Sequence, residues 1–267
     1  MRTHYDLDWL IKTFESGAAL EFVYFWGHTR KRNDLVNQSC LSQWFSSPFT
    51  LGGIIYKTAE HWMMAQKALL FNDHSRFESI IQCEKPKEAK ELGREVPLFD
   101  YEVWREKRNE IAWLGNVHKF NQNPLLAEFL LKTDGKILAE ASPRDKIWGV
   151  GLSQDNADIN NLYAWPGQNL FGFVLMEVRD FLKSFGLFQP LEVALSPPWI
   201  SFPDFHPENI FWRMGIGEDY LTNFDRYYSS LAERDRVIYR LTHPVPNDWK
   251  YYWQYYKAEY ESRPGKE

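Results

Sequence analysis

The chain of 267 residues has only two cysteines, Cys40 and Cys83, and they lack the paired spacing of a zinc site. Two thiols in so long a chain make no disulfide framework, so a reduced, intracellular protein of the cytoplasm is expected. Long apolar runs are missing too. Nowhere do about 18 consecutive apolar residues occur, and "MRTHYDLDWLIKTFESG" carries acids in place of a signal-peptide core. The expectation is a soluble, untargeted chain without a membrane partner. Excess positive charge is absent as well: a formal net charge of -5 and a pI near 5.9 argue against non-specific binding along a nucleic-acid backbone, though not against a local basic pocket. There is no internal repeat, no low-complexity tract and no His/Asp set at metal-ligand spacing, so neither a metal nor a cofactor is expected.

Aromatic residues, by contrast, are abundant. The 19 Phe, 14 Tyr and 12 Trp suit a well-filled core and also flat contact surfaces for aromatic ligands. "ALEFVYFW" (Ala19 to Trp26) reads as a buried strand, "GHTRKRNDLVNQSC" as a loop, and "LSQWFSSPFTLGG" as an irregular loop whose aromatics pack against something specific. Thr58 is placed to cap a helix that begins at Ala59, with Glu60 in its first turn. Further helices are expected at Arg76 to Cys83, Lys87 to Leu92, Tyr101 to Lys119, Pro124 to Leu131 and about Asn169 to Ser184, with a short strand in "KILAEAS". Beyond Phe185 a proline-rich connector leads to "YLTNFDRYYSSLAERDRVIYRL" and "DWKYYWQYYKAEYES", which read as two aromatic-rich amphipathic helices. The fold class is α+β, mainly helical, with a small sheet. The chain divides into an N-terminal extension over 1–20, a main domain over 21–185 and a helical unit over 186–267. That last unit completes a core, meets a protein partner or covers a substrate, and composition does not choose among these.

Several segments carry candidate chemistry. In "TAEHWMMAQKA" the 3.6-residue period sends both faces of the helix inward, and Glu60 and Lys67 project from one side two turns apart. They are either surface charges or holders of the two ends of a ligand. His61 is read as structural. In "EASPRDKIWGVGL", Asp145 lies on a loop that Gly149 allows to approach a ligand and that Trp148 can wall off from water, an environment able to raise a carboxylate's basicity. The alternative is an aspartate that bonds its own turn backbone. "WPGQNLFG" puts Trp165, Gly167, Gln168 and Asn169 before an apolar helix, where free N–H groups can bind an anion. Tight helix packing explains Gly172 equally well. "YEVWREKRNE" offers Trp104 as core or as a platform for a heterocycle, with arginines that its alternating charges assign to a solvated face.

The order of "FSSPF", "TAEHWMMAQKA", "LGREV", "EASPRDKIWGVGL" and "WPGQNLFG" over roughly Glu21 to Phe185 resembles the NADAR family, whose best-known member type is the YbiA-like N-glycosidase. The resemblance implies a compact, mainly helical α+β domain that hydrolyses N-glycosidic bonds. It implies, as substrates, phosphoribosylamino-pyrimidine intermediates of riboflavin synthesis or, as in other members, ADP-ribose on guanine in a nucleotide or nucleic acid. It places the family's glutamate on Glu60, its tryptophan on Trp104 and its aspartate on Asp145. The two acids would share water activation and sugar or base contacts, Trp104 would stack on the base, and Arg94, Lys67 and the Gly167 to Asn169 turn would meet phosphate. A binding module for an ADP-ribose-like ligand is the reading from another class. Retention of two acids beside an anionic ligand argues against it.

Overall fold

In this computed structural model residues 5–28, 36–249 and 252 are described. The chain forms two compact units, Met1–Leu187 and Phe188–Glu267. The first opens with α1 (Leu7–Glu15), capped by the Asp6 side chain, and continues into β1 (Phe22–Phe25). Its β-branched and aromatic residues pair in parallel with β4 (Ile137–Glu140), in a register that sets Phe25 beside Glu140. A parallel pair needs a long crossover, and here it holds most of the helices: α2 (Ala59–Leu70), α3 (His74–Gln82), α4 (Pro86–Arg94), α5 (Tyr101–Asn121) and α6 (Pro124–Leu131). After β4 and a long loop, α7 (Leu170–Phe185) packs back on the strand pair. A Cβ on Gly172 would stand 2.0 Å from the Leu138 carbonyl oxygen, so only glycine permits this helix–strand approach.

In the first unit the loop before α2 departs from the sequence reading. "LSQWFSSPFTLGG" is loop only in its first half, because Phe49–Leu51 forms β2 and pairs antiparallel with β3 (Ile54–Tyr56). Gly52 and Gly53 both take positive φ, 59° and 78°, as a two-residue hairpin turn of this hand requires. The Gly-Gly pair was the signal.

Helix α2 is held on all sides. The Thr58 hydroxyl accepts from the His61 N–H, Trp62 donates its indole N–H to the Ile111 carbonyl at 2.8 Å, and nine of its residues are buried. His61 is fully enclosed between Thr58 and the Cys83 carbonyl, which fits its structural role.

The second unit contains α8 (Pro198–Ser201), α9 (Gly215–Ser230) and α10 (Glu233–Thr242). The expected single helix over "YLTNFDRYYSSLAERDRVIYRL" is therefore two. Leu231 and Ala232 turn to extended backbone, and Glu233 and Asp235 supply acids for the first turn of the next helix. Trp199, Trp212 and Trp249 form one buried cluster, and Phe224, Tyr228 and Tyr239 another. The second expected helix, "DWKYYWQYYKAEYES", lies mostly outside the described residues. Among the described residues no helix is long and apolar enough to cross a membrane.

Candidate active site

Glu60 lies in the first turn of α2 and is 3% exposed. The loop before β2 comes to it: the Glu60 N–H donates to the Gln43 carbonyl at 3.1 Å, and the Trp44 side chain hydrogen-bonds its carboxyl. The far end of α5 holds that loop. Lys119 donates to the Ser42 carbonyl at 2.8 Å, Asn123 to the Pro48 carbonyl at 3.1 Å, and Gln122 exchanges two bonds with the Thr50 backbone.

Burial pushes the Glu60 carboxyl up to about 7, with Asp145 adding to the rise and Lys90, the Trp44 hydrogen bond and Arg94 opposing it. One oxygen, Oε1, is sealed from solvent and has no partner. Replacing Trp44 by Phe removes a bond that favours the charged form. Trp44→Phe is therefore expected to raise the Glu60 titration above its wild-type position, read by carboxyl carbon NMR. An unchanged or lower midpoint would remove Trp44 from the account.

A second buried carboxyl is electrostatically coupled to the first. Glu140 ends β4; its Oε2 is enclosed and unpartnered although the rest of the side chain is partly accessible. Burial pushes it up to about 8, with Asp145 and Glu60 raising it and Lys90 lowering it. Its backbone is clamped: Asn169 Oδ1 accepts the Glu140 N–H at 3.0 Å, and the Ser142 and Val150 N–H groups donate to its carbonyl. Nothing in the strand pattern of "KILAEAS" distinguishes this acid from an ordinary strand-end charge.

Asp145 completes the set. Its Oδ1 accepts from the Ile147 and Trp148 N–H groups at 3.0 and 2.8 Å, so it bonds its own turn and is also electrostatically coupled to both glutamates. The two acids whose titration burial displaces are Glu60 and Glu140. Among the described residues no three His, Cys, Asp or Glu side chains are grouped to hold a metal ion.

The anion-binding turn expected at Gly167 to Asn169 is not available. The N–H groups of Gly167, Gln168, Asn169, Leu170 and Phe171 donate to the carbonyls of Val150, Lys146, Gly149, Ile147 and Trp148, at 3.0 to 3.3 Å. Backbone packing accounts for both glycines: a Cβ on Gly167 would stand 2.3 Å from the Gly149 carbonyl, and one on Gly149 would stand 2.8 Å from that of Glu140. Trp165 is buried and donates its indole N–H to the Ile159 carbonyl. Asn169, in the left-handed region at φ 52°, donates to the Leu138 carbonyl and so completes the free edge of β4 with its side chain. These residues position the Asp145 loop and Glu140, while Gln168 is exposed.

Lys67 is not a solvated lysine. It is buried, donates to the Gly93 carbonyl at 2.7 Å, and sits 4.2 Å from the Phe99 ring centroid and 5.7 Å from that of the buried Trp104. Burial, then the Arg94 charge, lowers its pKa. Arg94 itself is exposed at the end of α4. Arg108 corrects the assignment of the α5 arginines to a solvated face. Arg105 is exposed, but Arg108 is buried, its guanidinium 5.9 Å from the Trp148 ring. Its i+4 spacing from Trp104 was the available signal.

Coupled carboxyls held near neutrality, beside aromatic rings and cations, form an acid–base arrangement on a strand pair wrapped by helices. Residues 24–183 match the NADAR domain family, and the chain belongs to that family. It is 41% identical over 165 residues to N-glycosidase R617 of Acanthamoeba polyphaga mimivirus, covering 60% of this chain and 95% of that protein. Riboflavin biosynthesis protein VVA0006 of Vibrio vulnificus is 30% identical over 170 residues, which cover 62% of this chain and 42% of that protein. N-glycosidase YbiA of Escherichia coli is 28% identical over 135 residues, 51% of this chain and 76% of that protein.

Proposed function

We propose that the chain is an N-glycosidase that hydrolyses the C1–N bond of phosphoribosylamino-pyrimidine intermediates of riboflavin biosynthesis, releasing ribose 5-phosphate. The observation that carries this reading is Glu60, a buried carboxyl pushed up to about 7, with one oxygen unpartnered and two further acids coupled to it. The names of the mimivirus and Escherichia coli relatives support the class of bond, and the name of the Vibrio relative supports the pathway.

Scission of a C1–N bond builds positive charge on the sugar, and the departing nitrogen needs a proton. Ionised Glu60 takes a proton from water as the water oxygen bonds to C1. The C1–N electron pair leaves with the amine nitrogen, which receives the proton held by Glu140. Solvent then returns the proton from Glu60 to Glu140. Asp145, its Oδ1 fixed by two backbone N–H groups, supplies a stationary negative charge for the ribosyl cation. Trp104 offers a face for the base, and Lys67 and Arg94 place positive charge beside it. Trp148 holds Asp145 through its backbone N–H and sets its ring beside Arg108.

The test offers purified protein a phosphoribosylamino-uracil and, separately, ADP-ribosyl-guanosine, and measures released ribose 5-phosphate and ADP-ribose. Faster release from the first substrate is expected. Faster release from the second would replace the substrate assignment, and release from neither would overturn the glycosidase reading.

A further inference from the structure

We propose that Arg108 is the anchor for a phosphate group of the ligand, an assignment that rests on the N-glycosidase reading for its place in catalysis but not for its existence. Arg108 is 5% exposed, and its Nε is sealed from solvent with no partner. Among the described residues, the other buried cations of this unit are satisfied. Lys67 donates to the Gly93 carbonyl, Lys119 to the Ser42 carbonyl, and Arg179 to the carbonyls of Thr133 and Lys136. The neighbouring cations on α5 are paired as well, Arg105 with Glu102 and Lys107 with Glu110. Arg108 has no carboxylate within ion-pair distance among the described residues.

The guanidinium lies 5.9 Å from the Trp148 ring, which steadies it without accepting its N–H bonds. A largely buried cation without a counter-charge is destabilising unless an anion joins it. The planar fork of a guanidinium matches two phosphate oxygens. The position suits that ligand. Arg108 lies one helical turn from Trp104, a spacing of about 6 Å between side-chain bases, which fits the separation of a base from the phosphate across a ribose ring. It also stands against the loop that carries Asp145. With the N–H groups at the start of α7 already occupied, phosphate recognition passes from that turn to cationic side chains, and Arg108 is the buried one whose Nε is unpartnered.

The test is Arg108→Met in the full chain, read by thermal melting and titration calorimetry with ribose 5-phosphate, ribose and ADP-ribose. Without ligand the variant is expected to melt at or up to about 5 °C above wild type, because an unpaired buried charge has been replaced by an apolar chain. Wild type is expected to bind ribose 5-phosphate and not ribose, and the variant to bind it about 10- to 100-fold more weakly. Binding of ADP-ribose in place of ribose 5-phosphate, lost in the variant, supports the anchor with a diphosphate as its partner. A ligand-free variant that melts well below wild type, or that keeps wild-type affinity for both phosphates, overturns the proposal. A wild type that binds phosphate through Arg108 but cleaves neither N-glycoside leaves the anchor standing and removes the glycosidase.

Discussion

Glu60→Gln is expected to lower turnover at least ~100-fold, the loss that follows removal of a positioned acid–base group. The amide keeps the shape of the carboxyl at the start of α2, so the circular dichroism spectrum should not change. The thermal consequence has a definite sign. Burial raises the folded-state pKa of Glu60 from 4.5 to about 7, so its contribution is fully present in acid and is lost as pH rises through about 7. Glutamine does not ionise. The variant should therefore melt near wild type at pH 5 and above it at pH 9. Near-normal turnover with an intact spectrum would make Glu60 only a helix-start acid.

Glu140→Gln should cost as much, about 100-fold, for a different reason. In the proposed sequence Glu140 holds the proton that the departing nitrogen takes, and its carboxyl keeps that proton until about pH 8. The variant lacks a proton to deliver at any pH, so its residual rate should no longer fall on the alkaline side. A substrate whose leaving group is already a weak base should recover part of the lost rate in this variant. Equal losses on every leaving group, with the alkaline fall retained, would make Glu140 structural.

Local rules read much of this framework directly. The Thr58 cap, the two inward faces of α2, the strand before Trp26 and the span of α6 follow from propensity, capping and period. What they could not show is where partners from distant segments are spent. "WPGQNLFG" reads as an anion turn because the start of a helix has free N–H groups, and here the Lys146 to Val150 carbonyls take them. Alternating charge on α5 reads as a solvated face, yet the Trp148 loop covers Arg108. Glu140 stands five residues before Asp145 in the sequence, and only the folded chain shows that its charge is coupled to that of Glu60. Trp44 was legible as an aromatic in search of a contact, and that contact is a carboxyl.

The rate of ribose 5-phosphate release as a function of pH tests the account most directly, because each glutamate limits one side of it. The wild-type kcat/KM for a phosphoribosylamino-uracil is predicted to rise as Glu60 ionises through about 7 and to fall as Glu140 loses its proton through about 8. The result is a narrow optimum between those values. A profile that is flat from pH 6 to pH 9, or one whose acid limb lies at the ordinary glutamate value of about 4.3, would contradict it.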